Sequence, residues 1–203
     1  MTAVQYFFAP QSPWTYLGHQ RFWDIARQHG AQVEVLPVDL GKVFPLSGGL
    51  PLGKRAPQRQ AYRLVELQRF ADFLHAPLKL QPSFFPVAGD DAARLIIAVD
   101  LHDGTEAAMD IAAAVQRAVW VEERNIAVEA TLAQLLVERE LPARRLEEAH
   151  AQAVQERYET NTQRAIDASV FGAPSYVIDG EMFWGQDRLD FVERRLACLN
   201  RSL

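Results

Sequence analysis

The sequence predicts an α/β protein whose sheet is drawn from both ends of the chain, with a large all-helical insertion between them. Three observations predict it. Residues 3–38 read strand, helix, strand. Strand patterning then disappears until position 175. It returns as two short apolar runs about an Asp-Gly step, followed by a last amphipathic helix.

Residues 3–8, AVQYFF, are aromatic and β-branched and stop at Ala9-Pro10, the signature of a buried strand. Ser12-Pro13 opens a helix that runs to about His29 and closes at Gly30. Residues 32–38, QVEVLPV, alternate as a second strand, with Pro37 marking its end or an edge. The stretch 47–57, SGGLPLGKRAP, is punctuated by Gly and Pro and reads as a mobile loop. Five helices are expected after it. One spans 57–75, one is capped by Asp90 and ends before Gly104, and one is capped by Thr105 and runs to about Asn125. The fourth covers 128–140, and a long fifth helix starts at Pro142 and reaches about Ser169. Residues 175–179 and 181–184 flank Asp179-Gly180, a hairpin signal. Residues 187–199 form the last helix, with Asp187 as its cap and Leu189, Val192, Leu196 and Leu199 along one face. The domain division is therefore 1–45 with 168–203, interrupted by a helical insertion at 46–167.

Composition narrows the function classes. Of 203 residues, 49% are hydrophobic and 23% charged, as in ordinary globular proteins. The net charge of −5 leaves no basic footprint, so no nucleic-acid partner is expected. No apolar run approaches the roughly 18 residues of a membrane span, so no membrane partner is expected either. Cys198 is the one cysteine. It rules out an intrachain disulfide, fits a reducing compartment and is expected as a small buried or half-buried residue. The start lacks a basic n-region, so a cytoplasmic location is expected. The histidines at 19, 29, 75, 102 and 150 show no metal-ligand spacing, and no metal is expected.

Three segments carry candidate chemistry. Ser12-Pro13 suits a helix cap. A helix N-terminus also stabilises an anionic sulfur, and a serine hydroxyl placed there can donate to a bound thiolate. In Phe171-Gly172-Ala173-Pro174-Ser175, the Gly and Pro read either as a helix stop before a strand or as a cis turn at Ala173-Pro174. A cis turn would leave the Ala173 backbone free to pair with an extended peptide. Gly185-Gln186-Asp187-Arg188 precedes the last helix. Besides capping it, an Asp there offers a carboxylate to an ammonium, while helix N–H groups face a carboxylate. Those are the two ends of an α-amino acid.

Together these segments resemble a known family. YFFAPQSPWTYLG (6–18), RQAYRLVELQRFADF (59–73), AVWVEERNI (118–126) and FGAPSYVIDGEMFWGQDRL (171–189) are similar to the 2-hydroxychromene-2-carboxylate isomerases. These are relatives of kappa-class glutathione transferases and, more distantly, of DsbA-like disulfide oxidoreductases. The resemblance implies a thioredoxin-like fold with a large all-helical insertion domain, and glutathione as cofactor. It implies that Ser12 bonds the glutathione sulfur and is the catalytic residue, and that Ala173, before a cis-Pro174, pairs with the cysteinyl backbone. It places the γ-glutamyl end at Gln186 and Asp187, although many relatives carry Ser where Gln186 stands. Lys54 and Arg55 are the candidates for the glycyl carboxylate or the substrate carboxylate.

The activity implied is interconversion of 2-hydroxychromene-2-carboxylate and trans-o-hydroxybenzylidenepyruvate, a step of aromatic degradation, by reversible thiolate addition. The expected partner is a small aromatic or other electrophilic substrate, and a homodimer is left open. Two rival readings are a kappa-like transferase that conjugates glutathione to electrophiles and a non-catalytic glutathione- or peptide-binding module. Disulfide exchange needs a nucleophilic thiolate, and Gln11-Ser12-Pro13-Trp14 has none.

Overall fold

A computed structural model describes residues 2–201; Met1, Ser202 and Leu203, at the outer bounds of the expected sheet segments, lie outside the described residues. One four-stranded sheet runs in the order β2-β1-β3-β4, from β1 (Ala3–Phe8), β2 (Gln32–Pro37), β3 (Ser175–Ile178) and β4 (Glu181–Trp184). β1 pairs parallel with β2 and antiparallel with β3, and β3 pairs antiparallel with β4. No strand of the described residues comes from the helical block. The β3–β4 turn is Asp179-Gly180 with φ of 49° and 80°, the left-handed pair that a tight two-residue hairpin requires.

Alternation on β1 sorts the core. Val4, Tyr6 and Phe8 face one side with Val33, Val35, Tyr176 and Ile178. There they meet α1 (Pro13–Gln28), α4 (Asp90–Asp103), α5 (Thr105–Trp120) and α9 (Leu189–Asn200). Phe7 faces the other side with Leu36 and Val177, against Val43 of α2 (Leu40–Ser47) and Ala165 of α8 (Gln152–Asp167). Tyr6 and Tyr176, paired across the strands, stack at 5.5 Å and 3°. One buried cluster runs without a break from the sheet through α4, α5 and α6 (Glu129–Glu138).

A polar link crosses this core. His19 on α1 is buried; its Nε2 donates to the Met109 carbonyl at 2.9 Å. Its Nδ1 then accepts from the Tyr6 hydroxyl at 3.0 Å and from Gln116 Nε2 at 3.3 Å. The carbonyl partner decides the tautomer, since only an N–H can face it. Burial lowers the pKa of His19 to about 4, against which the Met109 hydrogen bond works only in part.

Several elements differ from the sequence reading. α2 has no counterpart among the expected elements: it holds Gly41 and Pro45, and its start is fixed by the Asp39 side chain accepting the Gly41 amide at 2.7 Å. The segment read as a loop at 47–57 contains a 3-10 turn at Leu52–Lys54, before α3 (Pro57–Phe73). The expected single helix from Pro142 to Ser169 is two, α7 (Arg145–Ala149) and α8, because Ala151 is extended at ψ 146°. α5 ends at Trp120 rather than near Asn125, where Val121 leaves helical geometry. The capping positions of α4 and α5 are Gly89 and Gly104, so Asp90 and Thr105 are first-turn residues. Asp187 does not cap the last helix either. It lies in a 3-10 turn, Gln186–Arg188, and its carboxylate turns to Arg188. Cys198 is exposed, because it sits off the Leu189-Val192-Leu196 stripe of α9.

Candidate active site

Where the C-terminal end of β1 meets the cis peptide before β3, the surface opens into two adjoining cavities of about 720 and 530 Å³. They share Trp14, Arg55, Arg59, Arg63, Ala173 and Trp184 as lining. Both lie in the size range of small-ligand sites.

Ser12 lines the larger cavity at the N-terminus of α1. Its backbone is extended and its Oγ accepts the Thr15 amide at 3.3 Å, so it caps the helix as its position predicts. That bond uses a lone pair and leaves the hydroxyl hydrogen free to donate into the cavity. Pro13 follows without an N–H, and the remaining first-turn amides give the site its positive end.

The Ala173-Pro174 bond is cis, the second of the two alternatives the sequence left open. Phe85-Pro86, at the rim of the larger cavity, is cis as well. Ala173 lines both cavities, and its backbone N–H and C=O bond no other described residue. Pro174 lies buried behind it, its carbonyl accepting the Gly185 amide at 2.9 Å. An extended peptide laid along Ala173 would therefore find one donor and one acceptor.

Gln186 and Asp187 line the smaller cavity. Gln186 is buried, its Oε1 accepts from Arg21 at 3.1 Å, and its Nε2 has no partner although sealed from solvent. An unpartnered buried donor is costly unless something fills it. Asp187 is exposed and pairs with Arg188 at 2.6 Å.

The two loop candidates separate. Arg55 lines both cavities, with its Nε donating to the Leu50 carbonyl at 2.8 Å. Lys54 is exposed on the 3-10 turn and lines neither cavity.

Two further arginines, outside the candidates expected from the sequence, line both cavities. Arg59 and Arg63 stand one turn apart on α3, and with Arg55 they form a row of guanidinium groups along the cleft. None of the three has a carboxylate within 4 Å among the described residues. Burial, then the charge of Arg55, brings the Arg63 pKa down to about 10. Burial, then Arg59, lowers that of Arg55. A cleft with uncompensated positive charge attracts anions. The i, i+4 spacing of 55, 59 and 63 was the available signal. Trp184 packs over Gly172 and against Phe171, with ring centroids 4.7 Å apart, to close one side. Among the described residues no cluster of His, Cys, Asp and Glu could hold a metal ion, and no helix is long and apolar enough to cross a membrane.

Comparison with known proteins matches this architecture. The profile of the DSBA-like thioredoxin domain covers residues 3–197. A 2-hydroxychromene-2-carboxylate isomerase of Pseudomonas putida is 32% identical, over 98% of this chain and 96% of its own. The chain belongs to the 2-hydroxychromene-2-carboxylate isomerase family, within the DsbA-like thioredoxin fold. A solved isomerase of that name superposes with a TM-score of 0.82 at 29% identity, covering 98% of this chain and 97% of its own. The cytosolic disulfide reductase DsbM from Pseudomonas aeruginosa shares the fold, with a TM-score of 0.74 at 18% identity over 99% of this chain and all of its own. In this member of the isomerase family the start of α1 carries Ser12 and no thiol, while Cys198 lies far along the chain on α9.

Proposed function

We propose that this chain is a glutathione-dependent isomerase that interconverts 2-hydroxychromene-2-carboxylate and trans-o-hydroxybenzylidenepyruvate. The observation that carries the reading is that three residues lining the two adjoining cavities each carry an unfilled polar group. These groups are the Ser12 hydroxyl, the Ala173 backbone and the Gln186 Nε2. A small peptide with a thiol in its middle and an α-amino acid at one end fits that set. The full-length similarity to a relative of that activity supports the same reading.

Ser12 would hold the glutathione sulfur, Ala173 its cysteinyl backbone, and Gln186 with Asp187 its γ-glutamyl end. Arg55 is the nearer of the two loop candidates for the glycyl carboxylate. When bound, glutathione would supply the thiolate nucleophile for a reversible addition to the conjugated double bond of the open-chain keto acid. Ser12 would donate its hydroxyl hydrogen to that sulfur, and the α1 N-terminus would add positive potential, both favouring the anionic form. The arginine row raises the local concentration of an anionic aromatic substrate. Trp14, Phe85 and Trp184 give that substrate apolar walls. Glutathione in its thiol form belongs to a reducing compartment, which makes the cytoplasm the place of this reaction.

The test is to desalt the protein and follow the isomerisation by ultraviolet absorbance with and without added glutathione. Activity that depends on glutathione, with no glutathione consumed, is expected. Full activity without it refutes the thiol mechanism. Conjugation of electrophiles with no isomerisation would make the protein a kappa-like transferase, and glutathione binding with no turnover a binding module.

A further inference from the structure

We propose that Arg63 is the residue that selects a carboxylate on the substrate, separately from the residues that hold glutathione. The proposal rests on the isomerase reading of the cleft, and deepens it by naming a specificity-determining residue. Arg63 projects from α3 into the wall common to both cavities. Its guanidinium carbon stands 5.2 Å from the centroid of Phe85 and 5.8 Å from that of Trp120. Those rings are themselves in contact at 4.7 Å, so they form a two-sided aromatic seat.

The seat is fixed relative to the reacting end of the cleft. Trp120 is fully buried, and its Nε1–H donates to the carbonyl of Gln11 at 3.2 Å, next in sequence to Ser12. The same tryptophan therefore sets the distance between the Arg63 fork and the Ser12 hydroxyl. A conjugated keto acid is a rigid, planar molecule with its carboxylate at a set distance from the reacting double bond. A fixed fork at one end and a thiolate donor at the other suit that shape.

Beyond those two rings, Arg63 lacks the hydrogen-bonding and ion-pair partners that a structural arginine has. Its Nη2 is sealed from solvent with no hydrogen-bond acceptor, and the guanidinium bonds no described residue. The other arginines of the row differ. Arg55 already donates to the Leu50 carbonyl, and Arg59 is exposed. Burial has thus removed water from the Arg63 Nη2 without replacing it, while the half-buried side chain still lines both cavities, and a carboxylate is the acceptor whose geometry matches a guanidinium fork.

The experiment compares an acid with its ester. Wild type, Arg63→Lys and Arg63→Gln are titrated calorimetrically with benzylidenepyruvate and with its methyl ester, in the absence of glutathione. Wild type should bind the acid about ten-fold or more tightly than the ester. Arg63→Gln should lose that preference. Arg63→Lys, which keeps the charge without the fork, should keep part of it. Glutathione affinity should be unchanged in both variants, and melting curves check their fold. Equal binding of acid and ester by wild type overturns the proposal. So does a preference that survives Arg63→Gln, or a loss of glutathione affinity in well-folded variants. Should Arg63→Gln not fold, an undiminished preference in Arg63→Lys overturns it equally. Because this readout needs no turnover, failure of the isomerase assay would defeat the functional reading and leave the anchor to be decided by binding.

Discussion

Gly18 and Gln186 approach so closely that a Cβ at position 18 would stand 2.7 Å from the Cβ of Gln186 and 3.3 Å from its Cα. It would also meet the Tyr176 hydroxyl at 3.2 Å. The middle of α1 thus locates the turn that carries Gln186 and Asp187. Arg21, one turn further on, clasps the same turn through the Gln186 carbonyl at 3.3 Å. Gly18→Ala is expected to destabilise the fold by about 1–3 kcal/mol, as overpacking against backbone does. It should also displace the turn and weaken glutathione binding. Thermal melts and calorimetric titration read the two effects, and unaltered affinity would separate the turn from the ligand site.

Ser12→Ala removes a cap and a donor together. The cap accounts for about 1 kcal/mol of stability. The hydrogen bond to an anionic sulfur is worth about 1.5–3 kcal/mol, so turnover at neutral pH should fall roughly 10- to 100-fold. The thiol pKa of bound glutathione, followed by thiolate absorbance, should rise in parallel. Wild-type turnover in this variant would mean that Ser12 only caps α1.

Asp187→Ala should weaken glutathione binding by about 1 kcal/mol or less. The Asp187 side chain is 41% exposed and already shares its charge with Arg188, so solvent screens what an ammonium would gain. A loss several times larger would mean that binding buries this pair.

The buried His19 makes stability depend on pH. Its pKa is about 4 in the fold and roughly 6.5 in the unfolded chain. The unfolded chain therefore takes up the proton first as pH falls. The stabilisation is complete above about pH 6.5 and is lost progressively towards pH 4, an effect on the order of 3 kcal/mol. Urea unfolding at a series of pH values should show this slope. His19→Gln should flatten it, and an unchanged slope would assign it to another group.

Arg145 is buried at the start of α7 and donates to Asp103 at 2.6 and 2.7 Å and to Glu148 at 2.5 Å. Hydrogen bonds from Arg145 hold the Asp103 pKa below its ordinary value. Arg145→Met should cost roughly 3 kcal/mol, the low end for breaking a buried pair, since both carboxylates keep some solvent. It should leave glutathione affinity untouched. Denaturant titration checks the first and calorimetry the second.

What the sequence made legible was local. β1, the Ser12 cap and the Asp179-Gly180 turn each depend on residues adjacent in the chain. The break at Ala151 was not legible, because Ala149 and Val154 on either side continue one apolar pattern. Nor was α2, whose Gly41 and Pro45 argue against a helix that Asp39 nonetheless starts. Asp187 has the residue type of a cap, yet a 3-10 turn precedes the helix and Arg188 takes its carboxylate. Arg63 looks like any solvated arginine of α3 until Phe85 and Trp120, from other parts of the chain, fold around it.

α3 rests on little. Of its seventeen residues only Leu67 and Ala71 are buried, in a small cluster with Leu17 apart from the main core. Trp120, with Phe85 packed against it, belongs to that main core, so the cleft has one stiff wall, and α3 is compliant except where Arg63 is seated on those two rings. Compliance of this kind comes from a shortage of buried apolar contact. A ligand that spans the walls must therefore quiet the α3 helix as well as touch it, and part of its binding free energy goes into that ordering. Affinity then responds to changes that no ligand atom meets. A substitution at Leu67, beneath the helix, would loosen the α3 wall around the seated Arg63 without altering any arginine of the row.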